Sequence, residues 1–549
     1  MPVTTFDKKF LFDILGYTLD DNALRDQTGK MGLSLESMNE REISIEFPAN
    51  RPDMLGTVGY ARALKHFMHR SSKYAYRLSS QQAAASISVD DMVKKVRPFI
   101  SGLVVKNVKF SKESLVDAIN FTEKLCETYG RKREKIAIGI HDFDKVEGRL
   151  HYGISGDEEF TPLNSNKSMK FSTVVREHEK GIAYGHITHR ELKDRYVTLK
   201  DDAGTIALIP VLNSDRTKVG VGTKNLFIDI TGTSKYVIEK SADILAAMFI
   251  DLGFDVLPVS IEYGSGSEIA PKMESAEIEI PVLQAESEIG VLIGYKNVIS
   301  LVNKIGYDGA LVGKNIRVKV PVYRADVLND QDLIEDIAIA YGYDYIQPIA
   351  VPSIRQGALE AQTVANRKVA RIMSGLGFIE MLNSFLTNEK ANFVDMRVPA
   401  APEYIKIKNA VSSSVSMMRT WLIPSLLKNI SLSKMEKMPQ KLFEIDMAFN
   451  MRDNAVFEEY HLAAVETGAK SNFNAMKAYF QALNGMLGAD FEIDAKDHPS
   501  FIDGRCAAVR IGSRQIGHFG EIHPDVLRRI GIDEPTIAIE IILSGIDLT

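Results

Sequence analysis

The feature that most constrains this chain is a stretch that occurs twice. Ile43-Ser-Ile-Glu-Phe-Pro48-Ala-Asn-Arg51-Pro-Asp53-Met-Leu55 aligns without a gap on Ile316-Arg-Val-Lys-Val-Pro321-Val-Tyr-Arg324-Ala-Asp326-Val-Leu328. Upstream, Leu15-Gly-Tyr17 answers Ile293-Gly-Tyr295, and Gly32 answers Gly306 after a short length change. One module has therefore been used twice, far apart, and the copies differ in charge. Asp332, Glu335 and Asp336 of the second fall opposite Gly59, Arg62 and Ala63 of the first.

A chain of 549 residues exceeds what one core sustains, so three to five domains are expected. With 45% apolar and 25% charged residues the composition is that of a globular protein. No apolar run reaches the length needed to span a bilayer, and Met1-Pro-Val-Thr-Thr-Phe-Asp-Lys-Lys lacks the apolar stretch of a signal peptide. The expectation is a soluble, cytoplasmic protein with no membrane association. Cys126 and Cys506 fall in different expected domains, against a disulfide framework or a zinc site. A net charge of -6 excludes a globally basic nucleic-acid binder, but leaves room for local basic faces such as Gly130-Arg-Lys-Arg-Glu-Lys135.

Composition breaks at Leu78–Ser86, at Tyr263-Gly-Ser-Gly-Ser267 running into Pro271, and at Gln347-Pro-Ile-Ala-Val-Pro352. The expected domains are therefore a first module over 1–85, a middle domain over 86–265, the second module over 266–350, and a C-terminal domain over 351–549. The fold class expected is α+β multidomain.

In the second module, Val291-Leu-Ile-Gly294 reads as a helix end and Ile316–Val320 as an alternating strand. Asp330 or Asp332 opens a helix through Tyr341. Leu333, Ile337 and Tyr341 share one face of it, and Asp332, Glu335 and Asp336 another. Acids suit a first helical turn, so a helix cap explains them. Adding Asp326 from the preceding loop makes four oxygen ligands, a set that suits magnesium rather than zinc. Cap and metal site are both compatible with the spacing.

In the middle domain, Ser111 caps a helix and Lys135–Asp142 reads as a buried strand. The segment Asn225-Leu-Phe-Ile-Asp229-Ile-Thr231-Gly-Thr233 delivers Asp229, Thr231 and Thr233 to one face. A turn ending a strand explains such an isolated pattern, and a polar pocket gains weight only if Asn213 lies near. His178, His186 and His189 have no ligand spacing and read as surface or turn residues. In the C-terminal domain, a helix over Ala358–Gly375, a strand over Gly377–Leu382 and further strands suggest an antiparallel sheet with helices.

Four segments together carry a family resemblance: Phe47–Asp53, Arg131–Asp142, Asn225–Thr233 and Asp332-Leu-Ile-Glu-Asp-Ile-Ala-Ile-Ala-Tyr-Gly-Tyr-Asp344. In order and spacing they resemble the β subunits of phenylalanyl-tRNA synthetases of the archaeal/eukaryotic type. The resemblance implies an (αβ)2 heterotetramer that charges tRNA(Phe), with ATP and phenylalanine handled by the α subunit. It also implies that 86–265 is an aminoacyl-tRNA editing domain, with Asn213, Asp229 and Thr231 in the editing pocket. Ala207 stands where some relatives have serine. Asp326, Asp332, Glu335 and Asp336 are implied as magnesium ligands, with a further ligand from the α subunit.

The C-terminal domain resembles a class II synthetase fold without its signature residues. Asn383-Ser384 stands where a dimerisation motif carries proline, and Leu442–Phe449 lacks an aromatic-Arg-x-acid motif. Gly517-His-Phe-Gly-Glu521 is not followed by the third motif's arginine. The function implied is hydrolysis of mischarged tyrosyl-tRNA, because a hydrophobic pocket rejects an added hydroxyl by only about 100-fold. No Ser/His/Asp or Cys/His set is apparent, which leaves hydrolysis to a positioned water and groups of the tRNA end. Two rival readings remain: a stand-alone editing deacylase, and a structural tRNA-binding scaffold with a decayed editing pocket.

Overall fold

The computed structural model describes residues 2–71, 75–189, 192–351, 356–400 and 404–546. Met1 and Pro352, both used in the reading above, lie outside the described residues. The chain divides into two compact units, 1–350 and 351–549.

The first unit opens with β1 (Val3–Asp7), α1 (Lys8–Leu15), α2 (Asp21–Lys30), β2 (Ser34–Met38), β3 (Glu42–Glu46) and α3 (Thr57–Phe67). Its middle part contains β4 (Ala85–Val89), β5 (Phe99–Lys106), α4 (Lys112–Glu127), β6 (Ile136–Asp142) and β7 (Leu150–Ser155). A small hairpin β8 (Glu159–Phe160) and β9 (Met169–Lys170) leads into α5 (Phe171–Glu177) and α6 (Glu179–Thr188). Then come β10 (Tyr196–Asp201), β11 (Gly204–Leu208), β12 (Leu212–Asn213), β13 (Leu226–Gly232), α7 (Lys235–Asp251), β14 (Asp255–Tyr263) and β15 (Gly266–Ala270). The unit closes with β16 (Glu277–Pro281), α8 (Val282–Ile289), α9 (Tyr295–Lys304), β17 (Asp308–Val312), β18 (Asn315–Lys319) and α10 (Asp330–Tyr341).

The first and last groups share one topology. Each runs strand, two helices, two strands, turn, helix, and the sheets are ordered β1-β3-β2 and β16-β18-β17. One upstream match needs correction. Gly16 ends α1 in a left-handed cap (φ 77), and its topological equivalent is Gly290, which ends α8 (φ 80). Gly294 instead precedes α9, so Val291–Gly294 is a connection and not a helix end. The duplicated turns carry matching forks: Arg51 donates to both oxygens of Asp53, each at 2.9 Å, and Arg324 to those of Asp326 at 2.7 and 2.8 Å. The third charge differs in sign. Arg62 lies 3.8 Å from Asp53, whereas Asp336 lies 2.7 Å from Arg324. Gly59 is required beside the first fork, since a Cβ there would meet the Asp53 carbonyl oxygen at 1.8 Å.

The three segments expected as separate domains of this unit share a core. Phe6, Phe47 and Tyr60 pack in one cluster with Leu103, Ile228 and Phe249 and with Val322 and Tyr323. Arg62 ties them further: it donates to Asp251 at 2.8 Å and its guanidinium lies 3.7 Å over the Tyr323 ring. The central sheet runs β12-β11-β10-β7-β4-β14-β5-β13-β6, with β4 parallel to both neighbours.

Asp243, buried on α7, accepts the Met273 N–H at 3.1 Å. Burial raises its carboxyl to about 6, against the pull of Lys240. Its folded pKa thus exceeds the unfolded value, so the native state holds the extra proton between about pH 4 and 6 and stability falls as pH rises through that window. Asp243→Asn is expected to flatten this slope and stabilise the chain at neutral pH by on the order of 2 kcal/mol. Denaturation midpoints from pH 4 to 7 check it; an unchanged slope refutes it.

The second unit consists of α11 (Ala361–Gly375), β19 (Ile379–Glu380), β20 (Leu386–Thr387), β21 (Met417–Met418), α12 (Ile423–Leu432), β22 (Gln440–Arg452), β23 (Ala455–Thr467) and α13 (Phe473–Leu487). It ends with β24 (Glu492–Ala495), β25 (Phe501–Ile511), β26 (Arg514–Ile522), α14 (Pro524–Ile530) and β27 (Thr536–Ile542). Its sheet is ordered β19-β22-β23-β27-β26-β25-β24, antiparallel except for the β19–β22 edge. The strand expected over Gly377–Leu382 shrinks to two residues, and the helix expected from Ala358 starts at Ala361. Among the described residues no helix is long and apolar enough to cross a membrane.

Candidate functional site

A buried group of polar side chains in the first unit lies on β13 and its neighbour β6. Asp229 is fully buried at mid-strand, a place a carboxylate takes only with room and partners. Room comes from its two cross-strand neighbours, Gly102 on β5 and Gly139 on β6, both glycine. A Cβ at Gly139 would meet Asp229 Oδ2 at 2.0 Å and His141 Nε2 at 3.0 Å. The partner is His141, whose Nε2 donates to Asp229 Oδ2 at 3.1 Å while Nδ1 lies 2.8 Å from the Thr217 hydroxyl. The other carboxylate oxygen, Oδ1, is buried without a hydrogen-bond partner.

Asp229 lines a cleft of about 260 Å³. Its walls are mostly apolar, from Phe110 and the α4 face, from Ile138–Ile140 on β6, and from Leu208–Leu212. Asn213 also lines it, half-buried, with its side-chain amide donating to the Ile140 carbonyl at 3.3 Å. Two expected features sit elsewhere. Thr231 is not a wall: its hydroxyl and carbonyl accept from Arg97 Nε and Nη2 at 3.1 and 2.6 Å. Ala207, opposite Asn213 in the β11–β12 pair, packs in a hydrophobic cluster with Ile206 and Ile209 and is also absent from the cleft wall. Thr233 lies beyond β13 and donates to the Glu134 carbonyl at 3.1 Å.

A charged group borders the cleft. Arg133 donates to the Pro210 and Val211 carbonyls at 2.9 and 3.0 Å and to Glu123 at 2.7 Å, and Lys180 holds the other Glu123 oxygen at 2.7 Å. Burial alone would raise the Glu123 carboxyl; Arg133 and Lys180 outweigh it and hold it below its ordinary value. Arg133 ends three consecutive left-handed residues, Arg131, Lys132 and Arg133, at φ 49, 53 and 65. Such a run costs roughly 1–2 kcal/mol per residue. It reverses the chain so that the N–H groups of Arg131, Lys132 and Arg133 reach the Thr128, Glu127 and Cys126 carbonyls at the end of α4.

Gly139→Ala therefore tests the site without replacing any of its polar groups. It is expected to displace the Asp229 carboxylate and cost about 1–3 kcal/mol of stability. A crystal structure or a melting curve of the variant checks this, and an unshifted carboxylate contradicts it.

Three of the four expected magnesium ligands are engaged within this chain. Asp326 is forked by Arg324, and Asp336, facing inward, takes Arg324 and the Tyr307 hydroxyl. Asp332 caps its own helix, accepting from the Leu328 and Asn329 N–H groups at 2.7 and 3.0 Å, and Glu335 is exposed. Among the described residues no group of three or more His, Cys, Asp or Glu is arranged to hold a metal ion. The four acids thus do not form a cage on this chain by itself. Helical spacing sends Glu335 outward and Asp336 inward, where Arg324 claims it.

Sequence reasoning missed His141 and Thr217. The signal was present in the alternation Ala137, Gly139, His141: a glycine inside a strand marks close approach of another group. His178 caps α6 and His186 is exposed, as surface and turn residues do.

Comparison with known proteins defines the class first. A family model described as the phenylalanyl tRNA synthetase beta chain CLM domain matches residues 348–543, a tRNA synthetase B5 domain matches 278–343, and a B3/4 domain matches 93–248. This is the make-up of an aminoacyl-tRNA synthetase subunit. The phenylalanine–tRNA ligase beta subunit of Archaeoglobus fulgidus is 32% identical over 99% of this chain and 98% of its own length. Those of Methanocella arvoryzae and Methanocaldococcus jannaschii are each 31% identical, over 100% and 98% of this chain and 100% of their own lengths. An N-terminal fragment of the phenylalanyl-tRNA synthetase beta subunit from Pyrococcus horikoshii superposes with a TM-score of 0.59 at 26% identity, covering 62% of this chain and 100% of the fragment. The chain belongs to the family of phenylalanine–tRNA ligase beta subunits, and is a ligase subunit of protein synthesis.

Proposed function

We propose that this chain forms an (αβ)2 heterotetramer with a phenylalanyl-tRNA synthetase α subunit, supports ATP-dependent charging of tRNA(Phe) there, and itself hydrolyses mischarged tyrosyl-tRNA(Phe). In this reading 86–265 is the editing domain and 351–549 a catalytic-like domain without synthetic residues. The observation that carries the editing activity is the unpartnered Asp229 Oδ1 beside an apolar cleft. The phenolic hydroxyl of a tyrosyl group donates to that oxygen; a phenylalanyl group leaves it unsatisfied. A site built to bond a hydroxyl discriminates far better than one built to exclude it. Arg133, Lys180 and Lys218 at the cleft supply positive charge for the RNA end.

Hydrolysis uses a water held against the ester in the cleft. His141 keeps the Asp229 carboxylate oriented, with Oδ2 occupied and Oδ1 free for the substrate. Synthesis stays on the α subunit, since β22 carries Glu444 buried against Arg419 at 2.7 Å where a phosphate-binding arginine would act. The test is release of tyrosine from tyrosyl-tRNA(Phe) by the complex. Release at least about 100-fold faster than of phenylalanine from phenylalanyl-tRNA(Phe) is expected; equal rates would favour the scaffold reading. The purified single chain is expected to show no pyrophosphate exchange.

The first turn of α10 is this chain's share of a magnesium site completed by oxygens of the α subunit. Asp332→Asn combined with Glu335→Gln spares the Arg324 pairs and is expected to weaken subunit association only at low magnesium. Association independent of magnesium in both proteins leaves these acids as a cap and a solvated side chain.

A further inference from the structure

The second unit holds a cavity of about 320 Å³ that the editing reading leaves unused. It is lined by Phe393, Trp421, His461, His498, His518 and Glu540, among others, and among the described residues by no lysine or arginine. Three features make it a built site. His498 and His518 stack with centroids 4.5 Å apart at 15°, and Trp421 lies 5.9 and 6.2 Å from the two rings. Glu540 is buried and fully engaged, accepting from the Leu422 and Ile423 N–H groups at the start of α12 and from His461 Nδ1 at 2.7 Å. The Nε2 atoms of His461 and His518 are buried with no hydrogen-bond partner.

The chemistry of these groups selects the ligand. A carboxylate only accepts, so Nδ1 carries the proton facing Glu540, and in the singly protonated ring Nε2 is a bare acceptor. His518 is kept uncharged, burial pushing its imidazole down to about 3. Its ring nitrogen can serve as donor or acceptor according to tautomer. Planar walls favour a flat ring, and Lys496, the cation felt by both stacked histidines, stays outside the wall and spends a donor on the wall residue Gln515, which leaves a carboxylate or phosphate in the cavity without a direct partner.

We propose that this cavity binds the base of an amino-bearing purine, its exocyclic amine donating to His461 Nε2 and an adjacent ring nitrogen facing His518 Nε2. The ligand is a neutral heteroaromatic base rather than an amino acid or the phosphates of a nucleotide. The base can belong to a free nucleoside or to an RNA strand.

The chain reports on this site directly, because Trp421 is its single tryptophan. The full-length chain is titrated with adenosine while tryptophan fluorescence is followed. Saturable quenching is expected with a Kd of about 100 µM, the usual strength for a ligand of this size. Inosine presents an acceptor where adenosine presents a donor, and is expected to bind at least about tenfold more weakly. His461→Ala is expected to weaken adenosine at least about tenfold. Val398→Phe, at a half-buried wall position, fills the cavity without touching Glu540 and should do the same if His461→Ala fails to fold. A short oligoadenylate is titrated in parallel, and saturation by it alone assigns the base to RNA. Lack of saturation by both, inosine as tight as adenosine, or unchanged affinity in a folded variant overturns the proposal.

Discussion

Replacing Asp229 by alanine is expected to slow tyrosine release from tyrosyl-tRNA(Phe) by at least about 100-fold, while phenylalanine charging by the complex changes by less than about twofold. The large first effect follows from the position of the carboxylate. It is wholly buried, it contributes a carboxylate oxygen without a hydrogen-bond partner to the cleft, and its second oxygen holds His141. Its removal takes away the acceptor for the phenolic hydroxyl and frees the imidazole, both of which act in the transition state as well as in binding. Asp229→Asn keeps the volume and isolates the charge. It should retain the fold, lose most of the hydrolysis, and be separated from Asp229→Ala by melting curves. If charging and hydrolysis fall together in both variants, Asp229 is a structural group of β13.

The largest effect on stability is expected at Arg97. Its guanidinium is fully buried and donates to the Thr231 hydroxyl and carbonyl and to the Arg133 carbonyl at 3.0 Å. Burial lowers its pKa, with Asp229 among the groups opposing that. Its hydrogen bonds go to a hydroxyl and to carbonyls, so it acts as a set of directed donors joining β13 to the left-handed Arg131–Arg133 run. Arg97→Met leaves those carbonyls without donors in a dry interior, at a cost of about 3–5 kcal/mol. The strained run then relaxes, and Arg133 leaves the Pro210 and Val211 carbonyls at the cleft. The expected result is a first unit that melts several degrees lower and an editing cleft that loses tyrosyl selectivity. A variant within about 1 kcal/mol of the parent would show that Thr231 and the run hold themselves.

Much of this chain is legible from local pattern. The Arg51–Asp53 and Arg324–Asp326 turns fall in register, and so do the strands and helices on either side, because each module's alternation and caps are set within about twenty residues. Ser111 caps α4 as expected, with reciprocal bonds to the third helical residue, and α10 opens at Asp330, one of the two expected starts, behind a cap by Asn329 that the sequence reading missed. The match of Leu15-Gly-Tyr17 to Ile293-Gly-Tyr295 was misleading, since two glycines can share neighbours while one ends a helix and the other begins one.

Sequence by itself determined that one module recurs and that this chain belongs with phenylalanine–tRNA ligase beta subunits, and the resemblance raised the expectation of Asn213, Asp229 and Thr231 in one pocket. Only the tertiary structure decided which polar groups meet. Gly102, Gly139 and Asp229 lie on three strands remote in the chain, and cross-strand register alone makes the two glycines a recess for the carboxylate. The same register gives Asp229 to His141, while Thr231, two residues along the same face, goes to Arg97. On α10 the spacing of Asp332, Glu335 and Asp336 suggests one shared side, but Glu335 and Asp336 are adjacent and diverge, and Arg324 and Tyr307 from other elements meet Asp336 on the inner side. Period fixes which way a side chain points; what it finds there depends on segments whose distance along the chain no local pattern records.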